Sequence, residues 1–143
     1  MQTEAAPTWQ TYAHGADIGV RGFGPTLGVA FEQAALALNA VVADLGTVRQ
    51  KGSVPIACDA GEPELLLFAW LNAVIYEMVT RHMLFAGFSV RIDGNRLTAT
   101  ATGEAIDRDR HQPAVEPKGA TFTDLQVVQQ ADGRWLAQCI VDV

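Results

Sequence analysis

The alternation of apolar and polar positions sorts this chain into strands and two long helices. Trp9 to His14 and Ile18 to Phe23 alternate with a period of two, as half-buried strands do, and Gly24-Pro25 ends the second. From Thr26, a suitable N-cap, apolar residues recur at Leu27, Ala30, Phe31, Ala34, Ala35, Leu38, Val41, Val42 and Leu45. Those steps predict an amphipathic helix closed by Gly46, with Glu32, Gln33 and Asn39 on its wetter side. Lys51 to Asp59 reads as a strand that Pro55 confines to an edge or a bulge. Gly61-Glu62-Pro63 opens a second helix running to about His82. Its apolar residues cover most of the circumference, which predicts a helix buried on several sides and central to the fold.

Phe88 to Ile92 and Leu97 to Thr102 alternate around the turn Asp93-Gly94-Asn95, giving a hairpin with its threonines outward. Gly103 to Pro113 reads as an exposed charged loop that includes Arg108, Arg110 and His111. Thr121 to Gln129 and Arg134 to Val143, joined at Ala131-Asp132-Gly133, form a last hairpin. The pattern predicts an α+β fold: two helices packed on a mostly antiparallel sheet of about six to seven strands. At 143 residues this is a single domain, 1–143, with residues 1–7 frayed.

Composition narrows the function classes. A net charge of −6, with ten scattered Lys and Arg residues, argues against an autonomous nucleic-acid binder. The longest apolar run, Leu65 to Leu71, is too short for a membrane span, and no secretory signal opens the sequence. Cys58 and Cys139 read as buried thiols of a reducing cytoplasm, with a single bridge as the alternative.

Asp17 is the one acidic residue between Tyr12 and Val20, and Asp142 the only charged residue of the stretch Cys139 to Val143. If that strand lies beside Ile18 to Phe23, the two carboxylates converge, and Val143 adds a main-chain oxygen. Oxygen donors suit Ca²⁺ or Mg²⁺; capping or solvated aspartates are the alternative. His14 reads either as a partly buried imidazole bonded to a carbonyl or as a ligand or proton carrier. Lys118 reads as a solvated lysine loosely paired with Glu116, or as a reach toward a partner's carboxylate or phosphate. No phosphate-loop, dinucleotide or nucleophile-elbow motif occurs, and no nucleophile stands near His14 and Asp17.

Several short motifs, in order, carry a resemblance. These are His14-Gly15-Ala16-Asp17, Thr26 to Ala35, Trp70 to Tyr76, Gly103-Glu104 with His111, Glu116 to Phe122, and Ile140 to Val143. Together they resemble the archease family, which assists the RtcB-type RNA-splicing ligase, over Tyr12 to Val143. The resemblance implies an accessory protein without a reaction of its own. Its role would be to promote guanylylation and repeated turnover of the ligase in tRNA splicing or RNA repair, meeting RNA only through that partner. It implies a divalent-metal site, usually calcium, at Asp17, Asp142 and Val143, and a partner-facing set of Lys118, His14 and Glu116. Gly15 departs from the threonine of the family's His-Thr-Ala-Asp signature, and Pro117-Lys118-Gly119 and Phe122-Thr123 depart from its usual pattern. A stand-alone metal-binding interaction or chaperone-like module and a small metal-dependent hydrolase are the competing classes.

Overall fold

The computed structural model describes residues 6–143, so most of the frayed start expected over 1–7 lies outside the described residues. The order is β1 (Thr8–His14), β2 (Asp17–Gly24), α1 (Leu27–Val42), β3 (Gly52–Asp59), α2 (Pro63–Arg81), β4 (Met83–Asp93) and β5 (Arg96–Ala105). A one-turn helix α3 (Arg108–His111) then leads to β6 (Gly119–Ala120), β7 (Gln126–Gln129) and β8 (Trp135–Asp142). The α+β class and the antiparallel pairing match expectation, but the strands divide between two sheets. One has the order β1-β2-β8-β6, with β7 also on β8; the other is β3-β5-β4. Pro55 indeed sits on an edge strand, β3.

The element between the two sheets is α1, which packs against β2 on one side and β4 on the other. Ala30, Ala34, Ala35 and Ala37 are completely buried, and a Cβ on Gly22 would meet the Ala30 carbonyl oxygen at 2.0 Å. Small residues on both partners therefore let helix and strand approach closely. Thr26 caps the helix as predicted, its Oγ1 accepting from the Val29 N–H. The helix stops at Val42, and a separate 3₁₀ turn spans Leu45–Thr47. The Asp44 carboxylate accepts from the Gly46 N–H there, so a side chain competes with the helix and ends it early.

Two polar residues assigned to the wet side of α1 face inward instead. Asn39 is fully buried, donating to the Ala35 carbonyl and accepting from the Phe85 N–H at 2.9 Å. Glu32 accepts from the Val90 N–H at 2.8 Å. Both serve β4, whose outer edge carries donors that no strand pairs. Burial raises the Glu32 carboxyl above its ordinary value, and the bond from Val90 opposes that rise.

The second helix is not central. Leu66, Leu67, Trp70, Leu71, Val74, Ile75 and Met78 are buried, and the Trp70 indole N–H donates to the Phe31 carbonyl of α1. Its far side faces water, with Tyr76 64 % exposed. His82, in the left-handed conformation, caps α2, and β4 begins immediately with the buried Leu84 and Phe85. The Asp93 turn and the outward threonines of β4-β5 appear as expected, though both strands are longer than their alternation indicates.

The supposed charged loop is a clasp. Glu104 is buried and accepts from Arg110 Nη1 at 2.6 Å and Nη2 at 2.9 Å, and from the Arg49 N–H at 2.7 Å. His111, also buried, accepts from the Asp107 N–H through Nδ1. In the neutral tautomer this leaves Nε2–H to donate to Glu104, 3.0 Å away. The sequence period misses the clasp because its contacts join three separate segments. Arg110, and next the Arg49 N–H, hold the Glu104 carboxyl far below its ordinary value of 4.5. The clasp anchors one end of the strap that leads to Lys118.

Two stability outcomes follow. Asn39→Leu leaves the Phe85 N–H buried and unpaired, and should cost about 1–3 kcal/mol in urea unfolding. Glu104→Gln should lower the melting temperature by several degrees at neutral pH. A depressed carboxyl contributes fully above its unfolded value and loses that contribution as pH falls below it. The gap between wild type and variant should therefore close on acidification below about 4.5, read by melts across pH.

Candidate functional site

The second and the last strands of the chain are neighbours in the larger sheet. β2 and β8 pair antiparallel from Gly24↔Trp135 to Ile18↔Val141, so the next positions outward are Asp17 and Asp142. Side chains alternate between faces along a strand, and cross-strand neighbours share a face. Val20, Cys139 and Val141 are buried toward the helices, which puts Asp17 and Asp142 on the opposite face. Thus the convergence expected from the sequence is present in the register. Asp17 is half-buried and Asp142 exposed, and among the described residues neither has an ion-pair partner.

Two neighbours complete the tip. β1 pairs His14 with Asp17 across a two-residue turn at Gly15 and Ala16. His14 is exposed rather than partly buried, because the hairpin end projects past the helices. On the other side β6 pairs Gly119 with Asp142, and the Lys118 N–H donates to the Asp142 carbonyl at 2.8 Å. Lys118 is thereby fixed by its main chain beside Asp142. Glu116 stands apart: it lines a groove of about 400 Å³ with Asn72, Tyr76, Val79 and Lys118.

Behind the tip the outer face is ordered by side chains. The Tyr12 ring lies over Gly19, where an added Cβ would come within 2.1 Å of it, and the Arg21 guanidinium lies 4.0 Å from the ring centre. Tyr12 donates to Asp124, Arg21 donates to Gln138 at 2.7 Å, and Gln138 donates to the Asp124 carbonyl. Burial, and then the Asp124 charge, raise the Tyr12 phenol above its usual value. This ladder ties down residues 121–125, which interrupt the single strand expected from Thr121 to Gln129. Asp124 has φ of 52°, a left-handed residue that breaks the pairing between β6 and β7.

The donor set at the tip is chemically suited to a hard divalent cation: two carboxylates on one face and the adjoining Val143 main-chain oxygen. No group of three His, Cys, Asp or Glu side chains placed to hold a metal occurs among the described residues, so side chains alone do not complete a site. The thiols lie elsewhere. Both are unbridged, and burial pushes Cys58 and Cys139 up to about 11, so each is protonated at neutral pH.

Comparison with known proteins places this geometry. The model of the Archease protein family (MTH1598/TM1083) matches residues 9–143. The chain is 37 % identical over 139 residues to protein archease of Pyrococcus furiosus, covering 94 % of this chain and 98 % of that one. It is 32 % identical over 139 residues to protein archease of Methanopyrus kandleri, covering 94 % and 99 %. The solution structure of Methanobacterium thermoautotrophicum protein 1598 superposes with a TM-score of 0.82 at 29 % identity, covering 94 % of this chain and 98 % of that chain.

Gly15 has φ of +60°, a conformation costly for a β-branched side chain. Gly15→Thr, which restores the signature residue, should destabilise this chain by about 1–2 kcal/mol in urea unfolding.

Proposed function

The chain belongs to the archease family, and from that premise we propose that it activates an RtcB-type RNA-splicing ligase. In this reading it promotes guanylylation of the ligase's active-site histidine and sustains multiple turnover in tRNA splicing or RNA repair. It performs no reaction alone, and it meets RNA only through its partner. Among the described residues no helix is long and apolar enough to cross a membrane, which accords with a place in the cytoplasm beside such a ligase.

The observation that carries the reading is the position of Asp17 and Asp142, each one step beyond the Ile18–Val141 pair at the end of the β2-β8 ladder. Those carboxylates and Val143 would hold a divalent cation, with Ca²⁺ the first choice and Mg²⁺ the second. Such an ion supplies positive charge that offsets the charge of phosphates during nucleotidyl transfer. A Ca²⁺ ion takes six to eight oxygens, more than these three residues offer as single donors, so positions stay open for water or a partner's groups. Lys118, held beside Asp142, is a mobile point charge for a phosphate or carboxylate of the partner. His14, exposed across from Asp17, borders the same partner-facing end, and Glu116 would meet the partner apart from it, at the groove.

Asp17→Ala should abolish stimulation of multiple-turnover ligation while leaving the melting temperature near wild type, since Asp17 ends a strand and pairs with no described cation. Calorimetric titration with Ca²⁺ should show binding by the wild type and none by Asp17→Ala. A folded variant that activates fully would remove the metal-centred mechanism. Failure of the wild-type protein to stimulate a ligase competent for guanylylation would favour the independent interaction module.

A further inference from the structure

Resting on the ligase-activator reading, we propose that the outward face of α2, with Phe122, is the surface on which the ligase docks. The aspartate tip acts on the docked ligase; the α2 face holds it. The partner's contribution is an apolar anchor bordered by basic groups.

Four large hydrophobic residues are exposed among those described: Trp9, Leu65, Tyr76 and Phe122. Three of them belong to this surface. Leu65, Phe68, Asn72 and Tyr76 follow steps of three and four along α2 and form one stripe. Phe122, 66 % exposed, stacks on Phe68 with ring centres 4.5 Å apart and planes at 18°. This is an aromatic plate already assembled and left facing water. Exposed aromatic surface of this kind, in contiguous patches, is characteristic of interaction sites.

The plate is rigidly joined to the tip. Asn72 Oδ1 accepts from the Ala120 N–H at 2.9 Å, fastening β6 to the stripe. Five residues, from Lys118 to Phe122, lead from the bond at Asp142 to the stacked ring. The groove that Tyr76 lines ends at Lys118, and a second cavity of about 370 Å³ continues past Val79, Glu116 and Pro117. A partner seated against α2 reaches the aspartates, which lie on the sheet face away from the helices, by extending round the β6 edge past Lys118.

Charge selects the occupant. Glu62 and Glu64 lie at the start of the stripe and Glu116 across the groove, where Lys118 is the basic residue; Glu77 is paired with Arg81, and the chain carries a net charge of −6. A second copy would bring like charges together. An RNA-binding ligase needs basic surface for its substrate and supplies the opposite sign.

The test uses the full chain and the cognate ligase. Tyr76→Ala with Phe122→Ala should weaken binding, read by calorimetry, by at least about tenfold. Stimulation of ligation should then require correspondingly more protein and reach the wild-type plateau at saturation. Asp17→Ala should do the converse, keeping near-wild-type binding while losing the plateau. Tyr76→Lys, at a position 64 % exposed on the outward side of α2, should reproduce the weakening. Wild-type concentration dependence in these folded variants would overturn the docking surface while leaving the activator reading intact. A wild-type protein that neither binds nor stimulates the ligase would overturn both. A dimer in light scattering that Tyr76→Ala with Phe122→Ala converts to monomer would assign the face to self-association instead.

Discussion

Pairing between the strand that follows the first turn and the strand that ends the sequence governs the site. The two lie more than a hundred residues apart, yet their register sets Ile18 against Val141 and so Asp17 beside Asp142. A slip of β8 by one residue would turn Cys139 and Val141 out to water and drive Asp142 toward the helices. The apolar demand of the core therefore enforces the position of the carboxylates. Nothing in the site has to hold itself together, because burial elsewhere decides where it is.

The same economy of cause appears in α1. A helix flanked by sheets on both sides has few wet positions, and its polar residues must find partners inside. Asn39 and Glu32 find them on the unpaired edge of β4, which in turn keeps that edge from seeking another strand. The Glu104 clasp does similar work for the strap over residues 106–118. It binds β5, the turn before Lys51 and α3 into one unit, and the strap then ends at the Lys118–Asp142 bond. Long-range polar contacts thus place the basic residue of the tip as firmly as the sheet places the acidic ones.

Features that depend on local period were readable in the sequence, and those that depend on distant partners were not. The two helices, the β4-β5 hairpin and the edge position of Pro55 follow from spacing and turn chemistry. The placing of Asp17 beside Asp142 was anticipated only on the condition that the terminal strand lies beside Ile18 to Phe23, a condition that the register meets. The burial of His111 and Asn39 was not, since a polar residue looks wet until its partners are known. One signal was available: Asn39 stands between Leu38 and Val41 in an otherwise apolar stretch. The break at Asp124 was hidden by a run that alternates well enough to pass for one strand. The breadth of apolar residues on α2 was read as depth in the core, when part of it faces outward.

That last misreading bears on how such a protein works. Leu66, Trp70, Leu71 and Val74 fill the core, whereas Leu65, Tyr76 and Phe122 stand exposed outside it. An exposed pair of carboxylates likewise has little chemical power by itself: it lies on an open sheet end, away from the two protonated thiols and from the cavity beneath the strap. Electrostatic help to a reaction grows when water is excluded and the charges are held in place. An open tip gains that exclusion only against another protein, and an apolar face fastened to the tip through Asn72 and Ala120 gives a means of holding one there. The two surfaces make physical sense as parts of a single device, one binding and the other acting on what is bound.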